Sequence, residues 1–427
     1  MRKNKIKRMK RIIITLTFLF LLKGLLVQAQ VYRSGSHSEQ IRTLTVYPDG
    51  EWSAFPVLKM GSNNHIEISF DELSHNYKRY AYRIIHCNSD WKRSDMNELE
   101  YLDGFSENDI EKYEQSVSTF TPYTHYKFSI PNGGVQLKLS GNYAVEVYDK
   151  DSPGEILLTA CFMVLEDKMQ IDATVTATTD IDFEQTHQQL SFNLKPLGLA
   201  IQQPLNDLHV VVTQNRRNDN DVKGITPMQV SSDVIRYEHN KDLIFNGGNE
   251  YRRFEITSTK YNGLGVNKIE YFKPFYNAEL MESETRLKGY TYDKDQNGRF
   301  LIHSLETEND TIGSDYFLVH FSLPKENPII DGTIYLSGEL VNNQLDENSK
   351  MIYSFERKAY EKTLLLKQGA YNYQYLFKPT KGNSASSQRI EGSYWETENE
   401  YQIFVYYRPA GERYDRLIGF KQVQTTF

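Results

Sequence analysis

Polar and apolar residues alternate along much of the chain. Over residues 41–47, Ile41, Thr43, Thr45 and Tyr47 oppose Arg42, Leu44 and Val46, and over 64–70 Ile66, Ile68 and Phe70 share a face. A period of two is the pattern of a half-buried strand. Tyr80–Cys87 (YAYRIIHC) and Thr124–Ile130 (THYKFSI) are rich in aromatic and β-branched residues and lack internal Gly and Pro, so they also predict strands. Pro131-Asn132-Gly133-Gly134 then signals a turn. Residues 135–139 and 143–148 flank Ser140-Gly141-Asn142, a link short enough for a hairpin. Residues 156–164 (ILLTACFMV) are almost continuously apolar, which predicts a closing strand buried on both faces.

Between two of these strands lies a different stretch. Residues 94–118 are acidic and polar, with Leu99, Tyr101, Leu102, Phe105, Ile110 and Tyr113 scattered through them. The stretch is too long for a tight hairpin and reads as a surface excursion, with one helical turn expected near 107–113. Long excursions from rigid sheets either carry contacts or are pinned down by their own aromatic residues. Further strands are expected at 171–178, 190–194, 208–214 and 254–257, with 216–221 (RRNDND) as a charged hairpin tip and 261–265 as a turn. Residues 316–323, 332–338, 351–355, 361–366, 371–377 and 401–407 follow as strands. Runs with helical apolar spacing are scarce. The chain therefore predicts an all-β fold of tandem immunoglobulin-like β-sandwich domains, with boundaries at 30–167, 168–308 and 309–427.

Residues 1–29 fall outside that pattern. A basic start (Arg2 to Arg11) precedes an apolar run over 12–22 that ends near Val27-Gln28-Ala29. The run is shorter than the ~20 residues of a membrane-spanning helix, and the segment is read as a cleaved secretory signal. No later stretch is apolar enough to span a bilayer as a helix. The whole chain has 49 basic and 56 acidic residues, and removing the eight basic residues of 1–29 takes the net charge from −7 to −15. Such a surface repels phosphate backbones, so nucleic acid is excluded as a partner.

Candidate chemistry is thin. His86-Cys87 with Asp90 could suggest a thiol nucleophile, but adjacent strand residues point to opposite faces, and core packing is favoured. Histidines are dispersed, with no H-x-x-E-H and no C-x-x-C. Asp293, Asp295, Asn297 and Gly298 imitate the opening of a calcium loop, yet Ser304 stands where the closing Glu would be; a hairpin turn is favoured. Gly247-Gly248-Asn249-Glu250 lacks the following Lys-Ser/Thr of a phosphate loop and predicts a bulge or tight turn. There is no G-x-S-x-G elbow. The expectation is a protein that is not an enzyme and holds no metal or cofactor.

An ordered set of motifs carries a resemblance. HCNSDW (86–91), EYLDGF (100–105), YEQS (113–116), YTHY (123–126), LSGNY (139–143), VTQNRR (212–217), FNGGNEYRRF (245–254), LKQGAYNYQY (366–375), IEGSYWETENEY (390–401) and VYYRP (405–409) together resemble the type IX secretion system plug protein family across nearly the whole chain after residue 29. The resemblance implies a periplasmic β-rich protein, a monomer within a hetero-complex. It would dock on the periplasmic mouth of the outer-membrane translocon barrel and close it when no substrate is crossing. The family pattern carries a Cys at 87 and not at 161, so Cys87 and Cys161 are expected to stay unbridged. Tyr101, Phe105 and Tyr113 in the 96–113 excursion, and Tyr394 and Trp395 in 390–401, are the expected partner contacts, because both stretches combine aromatics with charges that no predicted strand explains. The last domain also resembles an early-set sandwich of the glycogen-binding-module type. Gly338, Leu340 and Asn342, then Gly369, Tyr371 and Tyr373, follow that pattern, although Asn343 and Gln344 stand where its Trp would be. A secreted carbohydrate-binding protein using the C-terminal sandwich is therefore the alternative.

Overall fold

The computed structural model describes residues 30–382 and 384–425; the expected signal at 1–29 lies outside the described residues. The described chain is nearly all β and forms three sandwiches, each with its own apolar core.

The first sandwich pairs two sheets. One is ordered Gly35–Ser36, Ile156–Leu165, Gly141–Asp149, Tyr80–Cys87, Glu107–Asp109, with Val57–Lys59 beside Ile156–Leu165. The other is ordered Ile41–Pro48, Ile66–Glu72, Thr124–Ile130, Lys112–Gln115. Ile156–Leu165 is buried on both faces, as its apolar run predicts: Leu158, Ala160, Phe162 and Val164 enter the sandwich core, while Met163 packs on the next domain. Two local expectations are corrected. Val135–Leu137 pairs with Leu102–Gly104 and not with Gly141–Asp149, so 135–148 is no hairpin. Gly141 has φ 127°, and a Cβ there would lie 2.9 Å from His86 Nε2 and 3.0 Å from the Asp415 carbonyl. The glycine serves a close approach between domains instead of a turn. Within the excursion the helical turn is Glu98–Tyr101, and 107–113 is extended: Glu107–Asp109 and Lys112–Gln115 each add an edge strand to one of the two sheets.

The second sandwich sets Met169–Thr176, His187–Pro196, Ile235–Tyr237 and Gln229–Val230, with Ile244–Asn246, against Val222–Lys223, Leu208–Gln214, Glu400–Tyr407 and Arg416–Gln424. The last two strands return from the end of the chain. Leu208–Gln214 pairs with Glu400–Tyr407 from Leu208↔Tyr407 to Gln214↔Tyr401. Tyr401, Ile403, Val405 and Tyr407 fill the second core. The third sandwich is correspondingly built from residues between these halves. Arg252–Glu255, Gly369–Pro379, Phe300–Ile302 and Gly332–Ser337 face Val266–Phe272, Phe275–Leu280, Tyr316–Pro324, Ala359–Lys367 and Ile352–Ser354. The boundaries expected at 168–308 and 309–427 are thus not those of the sheets. Alternation fixes which face of a strand is buried and leaves open which sheet it joins.

Candidate functional site

The expected contact residues divide sharply. Tyr101 is 1 % exposed. Its hydroxyl donates to the Ile84 carbonyl at 3.0 Å, and burial pushes its phenol up to about 12. It closes the core from the end of the Glu98–Tyr101 turn and is no surface contact, which corrects its assignment. Phe105 is 73 % exposed and Tyr113 43 %, with the Tyr113 ring centroid 4.5 Å from that of Tyr77. Leu99 (83 % exposed) and Val117 are also exposed on the same stretch, and Phe120 just beyond it. Sequence reasoning noted Leu99 in the stretch without taking it as a contact, and it missed Val117 and Phe120. Phe120 reaches the third sandwich, where its ring lies 5.1 Å from Tyr271 and 5.3 Å from Tyr276. The backbone amides of Phe120 and Thr121 donate to the Asp315 carboxylate at 2.6 and 3.0 Å.

The second expected loop, 390–401, is an internal strap between the second and third sandwiches. Glu391 is buried, and its carboxylate accepts from Arg252 Nη2 at 2.9 Å, Arg286 Nε at 2.8 Å and the Tyr375 amide at 2.9 Å. The Tyr394 hydroxyl donates to the Arg286 carbonyl at 2.9 Å and the Tyr394 amide to the Gly248 carbonyl at 2.8 Å. The Trp395 carbonyl accepts from Gln188 at 2.8 Å. Tyr394 and Trp395 are both half-buried. Of the charges that looked unexplained in sequence, Glu391 and Glu400 are satisfied inside the molecule, while Glu398 stays exposed. A Cβ at Gly247 would collide with the Tyr394 carbonyl oxygen, so the glycine run exists to let the strap lie close.

The RRNDND stretch is the charged hairpin tip expected, joining Leu208–Gln214 to the antiparallel Val222–Lys223, but it folds inward against the other sandwiches. Arg216 donates to Glu339 at 3.0 Å and to the Ser53 carbonyl at 2.5 Å, with Glu400 at 3.5 Å. Glu400 also accepts from Arg299 at 2.6 Å. One guanidinium thus touches all three sandwiches. Arg217 is buried against Asp219 at 2.7 Å. The first and third sandwiches share a second buried network, in which Asp71 accepts from Lys367 at 2.6 Å and Tyr316 at 2.7 Å, with His125 at 2.7 Å. The first and second are joined by Arg416–Glu166, by Ser89 donating to Asp415, and by an apolar layer of Phe55, Met163, Phe404, Tyr406 and Leu417. These contacts make the three sandwiches one body.

Residues flagged for chemistry are structural. His86 is buried between the Ser94 hydroxyl at 2.8 Å and the Ser140 carbonyl at 3.0 Å, so Nε2 donates and Nδ1 accepts; burial lowers it to about 4. Burial also pushes the Cys87 thiol well above its ordinary value. Cys87 and Cys161 are free thiols, on strands separated by Gly141–Asp149. Among the described residues no group of three His, Cys, Asp or Glu side chains is placed to hold a metal. Of the imitation calcium loop, Asp293 pairs with Arg253, and Asp295 turns inward to accept from the Tyr251 and Asn297 amides. Burial raises Asp295 to about 7, with Glu250 and Asp293 adding repulsion. The folded state then holds a proton, between about 3.8 and 7, that the unfolded state has lost, so this group's contribution declines as pH rises through that window. Asp295→Asn is expected to flatten the fall of melting temperature between pH 5 and 8; parallel melting curves for the variant and the parent protein would refute this.

The early-set pattern is partly realised. Tyr371 and Tyr373 lie in the third core. Gln344, which with Asn343 stands where the Trp would be, donates to the Ser34 carbonyl at 2.5 Å, so this loop is engaged by the first sandwich and is not an open platform for a sugar ring.

Comparison with known proteins decides the family. The model for the first domain of the type 9 secretion system plug protein matches residues 41–166, which is the first sandwich with its excursion. The chain belongs to the type IX secretion system plug protein family. In this plug-family chain the whole three-sandwich arrangement is shared with a crystal structure of a hypothetical protein from Parabacteroides merdae. That protein is 47% identical, with 93% of this chain and 100% of that chain covered and a TM-score of 0.91. Dimeric latent PorU from Porphyromonas gingivalis aligns at 8% identity over 90% of this chain and 34% of its own, with a TM-score of 0.14, a likeness that carries no argument. No curated protein matches. Family membership gives the chain a role related to type IX secretion. No helix among the described residues is long and apolar enough to cross a membrane.

Proposed function

We propose that the protein is a non-enzymatic periplasmic plug, which docks on the periplasmic mouth of the outer-membrane translocon barrel and closes it between substrates. The observation that carries this reading is the excursion. It lies in the family-matched domain and leaves Leu99, Phe105, Tyr113 and Val117 exposed. Large apolar side chains left exposed along one excursion are candidates for a partner contact. They project from a body whose sandwiches are joined by buried ion pairs, and a plug must resist deformation across a pore. Docking therefore uses the 94–118 side of the molecule, and the strap at 390–401 acts only indirectly.

Leu99→Asp with Phe105→Asp is expected to leave the melting temperature unchanged and to weaken binding to the purified barrel. Each anchor is worth about 2 kcal/mol, more than tenfold in affinity. The same variant should let small solutes leak through resting channels in vesicles. Unchanged affinity and no leak would remove the excursion from the interface, and failure of the unmodified protein to bind the barrel would remove the plug reading itself.

A further inference from the structure

A polar cavity of about 310 Å³ lies where the second sandwich meets the third. Its size is at the lower end of the ~300–1,000 Å³ range of ligand pockets, room for one small ring and not for a chain. Three stretches wall it: the 214–222 tip and 244–249 from the second sandwich, and Gln374 with 384–387 from the third. No residue of the 94–118 excursion lines it.

The charges of the lining are already matched within the protein. Arg217 donates through Nε and Nη2 to Asp219 at 3.0 and 2.7 Å, and through Nη2 to the Ala385 carbonyl at 2.9 Å. Asp221 pairs with Lys223 at 2.6 Å. An anion would meet a guanidinium that is already neutralised, a cation would meet paired carboxylates, and a wholly apolar ligand would strand the polar walls. What the cavity leaves underused is neutral hydrogen-bonding capacity. Ser387 is the N-cap of the Gln388–Glu391 turn, yet its hydroxyl makes no cap hydrogen bond, which is the usual task of a serine there. Gln374 donates to the Tyr251 hydroxyl at 2.8 Å, and its Oε1 accepts nothing among the described residues. Arg217 Nη1 and the Asn246 side-chain amide likewise make no hydrogen bond among the described residues. Arg217, Gln374 and Ser387 are all buried. None of their spare atoms is among those shut away without a partner, so these atoms open onto the cavity that their residues line.

We propose that this cavity binds a neutral, polyhydroxylated ligand of single-ring size, a monosaccharide unit held between the second and third sandwiches. Each ring hydroxyl both donates and accepts, so it needs a mixed set of partners. Arg217 Nη1 donates, Gln374 Oε1 accepts, and Ser387 and Asn246 do either. Phe245 adds an apolar wall for the C–H face of the ring. The site stands apart from the early-set loop at Gln344, and it does not rest on the plug reading.

The test uses the folded protein with a panel of neutral methyl hexosides and N-acetylglucosamine, with methyl glucuronide as the charged control and cyclohexanol as the apolar one. Saturation-transfer NMR is expected to show at least one neutral sugar bound and neither control. Gln374→Leu and Ser387→Ala should each weaken that sugar about fivefold, the usual effect of losing one hydrogen bond. The sugar should also raise the melting temperature of the parent protein, because it binds only the folded state. If Gln374→Leu does not fold, Ser387→Ala decides together with a crystal of the parent protein soaked in the same sugar, since that change removes one hydroxyl that caps nothing. Binding of no neutral sugar overturns the inference, as does a soaked crystal whose cavity holds ordered water only. Sugar binding that Ser387→Ala leaves at full strength places the sugar elsewhere and also overturns it. Tighter binding of the glucuronide or of cyclohexanol refutes the neutral polyol assignment. Barrel binding is a separate measurement, so none of these outcomes touches the plug reading.

Discussion

Replacing Lys367 with Ala is expected to cost about 3–5 kcal/mol of stability, the usual price of stranding one partner of a buried ion pair. Lys367 and Asp71 side chains are 2% and 1% exposed, and their atoms meet at 2.6 Å across the boundary between the first and third sandwiches. Burial alone would push the Asp71 carboxyl up, yet Lys367 and His125 hold it below the ordinary aspartate range. Burial lowers the Lys367 ammonium, opposed by Asp71. Without the ammonium, Asp71 keeps only the Tyr316 hydroxyl and His125, and Thr311 loses a donor to its carbonyl. Asp71→Leu with Lys367→Met removes both charges at similar volume and is expected to recover most of the loss. Guanidinium unfolding of the parent, the two single variants and the double variant measures this. A single variant within about 1 kcal/mol of the parent, or a double variant worse than the singles, would show that the pair does not hold the sandwiches together.

Local pattern made the sheets legible, and distance in sequence hid how they are joined. Tyr80–Cys87, Thr124–Ile130 and Leu208–Gln214 form with the bounds their composition predicts, because branched and aromatic residues suit a pleated half-buried surface wherever it sits. The C-terminal strands were legible as strands and not as part of the second sandwich, since the pairing of Leu208 with Tyr407 spans most of that domain and all of the next. Charged residues misled for a related reason. Arg216, Glu391 and Glu400 read as surface because charges are seldom buried unless paired, and their partners Glu339, Arg252 and Arg299 are far along the chain. Within the excursion Tyr101 and Phe105 looked alike. A short helical turn directs Tyr101 to the core, and the short strand after it leads to an exposed Phe105, a switch of period too brief to read from spacing.

Replacing Glu391 with Ala is expected to be at least as damaging as the Lys367 change. Its carboxylate serves Arg252, Arg286 and the Tyr375 amide at once, so truncation leaves two guanidinium groups and a buried N–H without their acceptor. The loss should be about 3–5 kcal/mol. Glu391→Gln keeps an acceptor oxygen and should cost less. The pH dependence gives a second readout. Burial pushes the Glu391 carboxyl up, but Arg252 and Arg286 bring it below its ordinary value of 4.5. The unfolded state therefore binds a proton before the folded state does, and the stabilisation is present above about 4.5 and lost as pH falls through the lower folded value. The stability gap between the parent protein and Glu391→Gln should thus be full at pH 7 and narrow below pH 4. Gly247→Ala probes the same strap without touching a charge, because its Cβ would strike the Tyr394 carbonyl. It should destabilise by about 1–3 kcal/mol, the usual range for overpacking, with no change in acid sensitivity. If Glu391→Ala unfolds like the parent protein, or if the gap between the parent and Glu391→Gln is constant from pH 7 to pH 3.5, then 390–401 does not lock the second sandwich to the third. Its aromatic residues would return as candidates for the barrel interface.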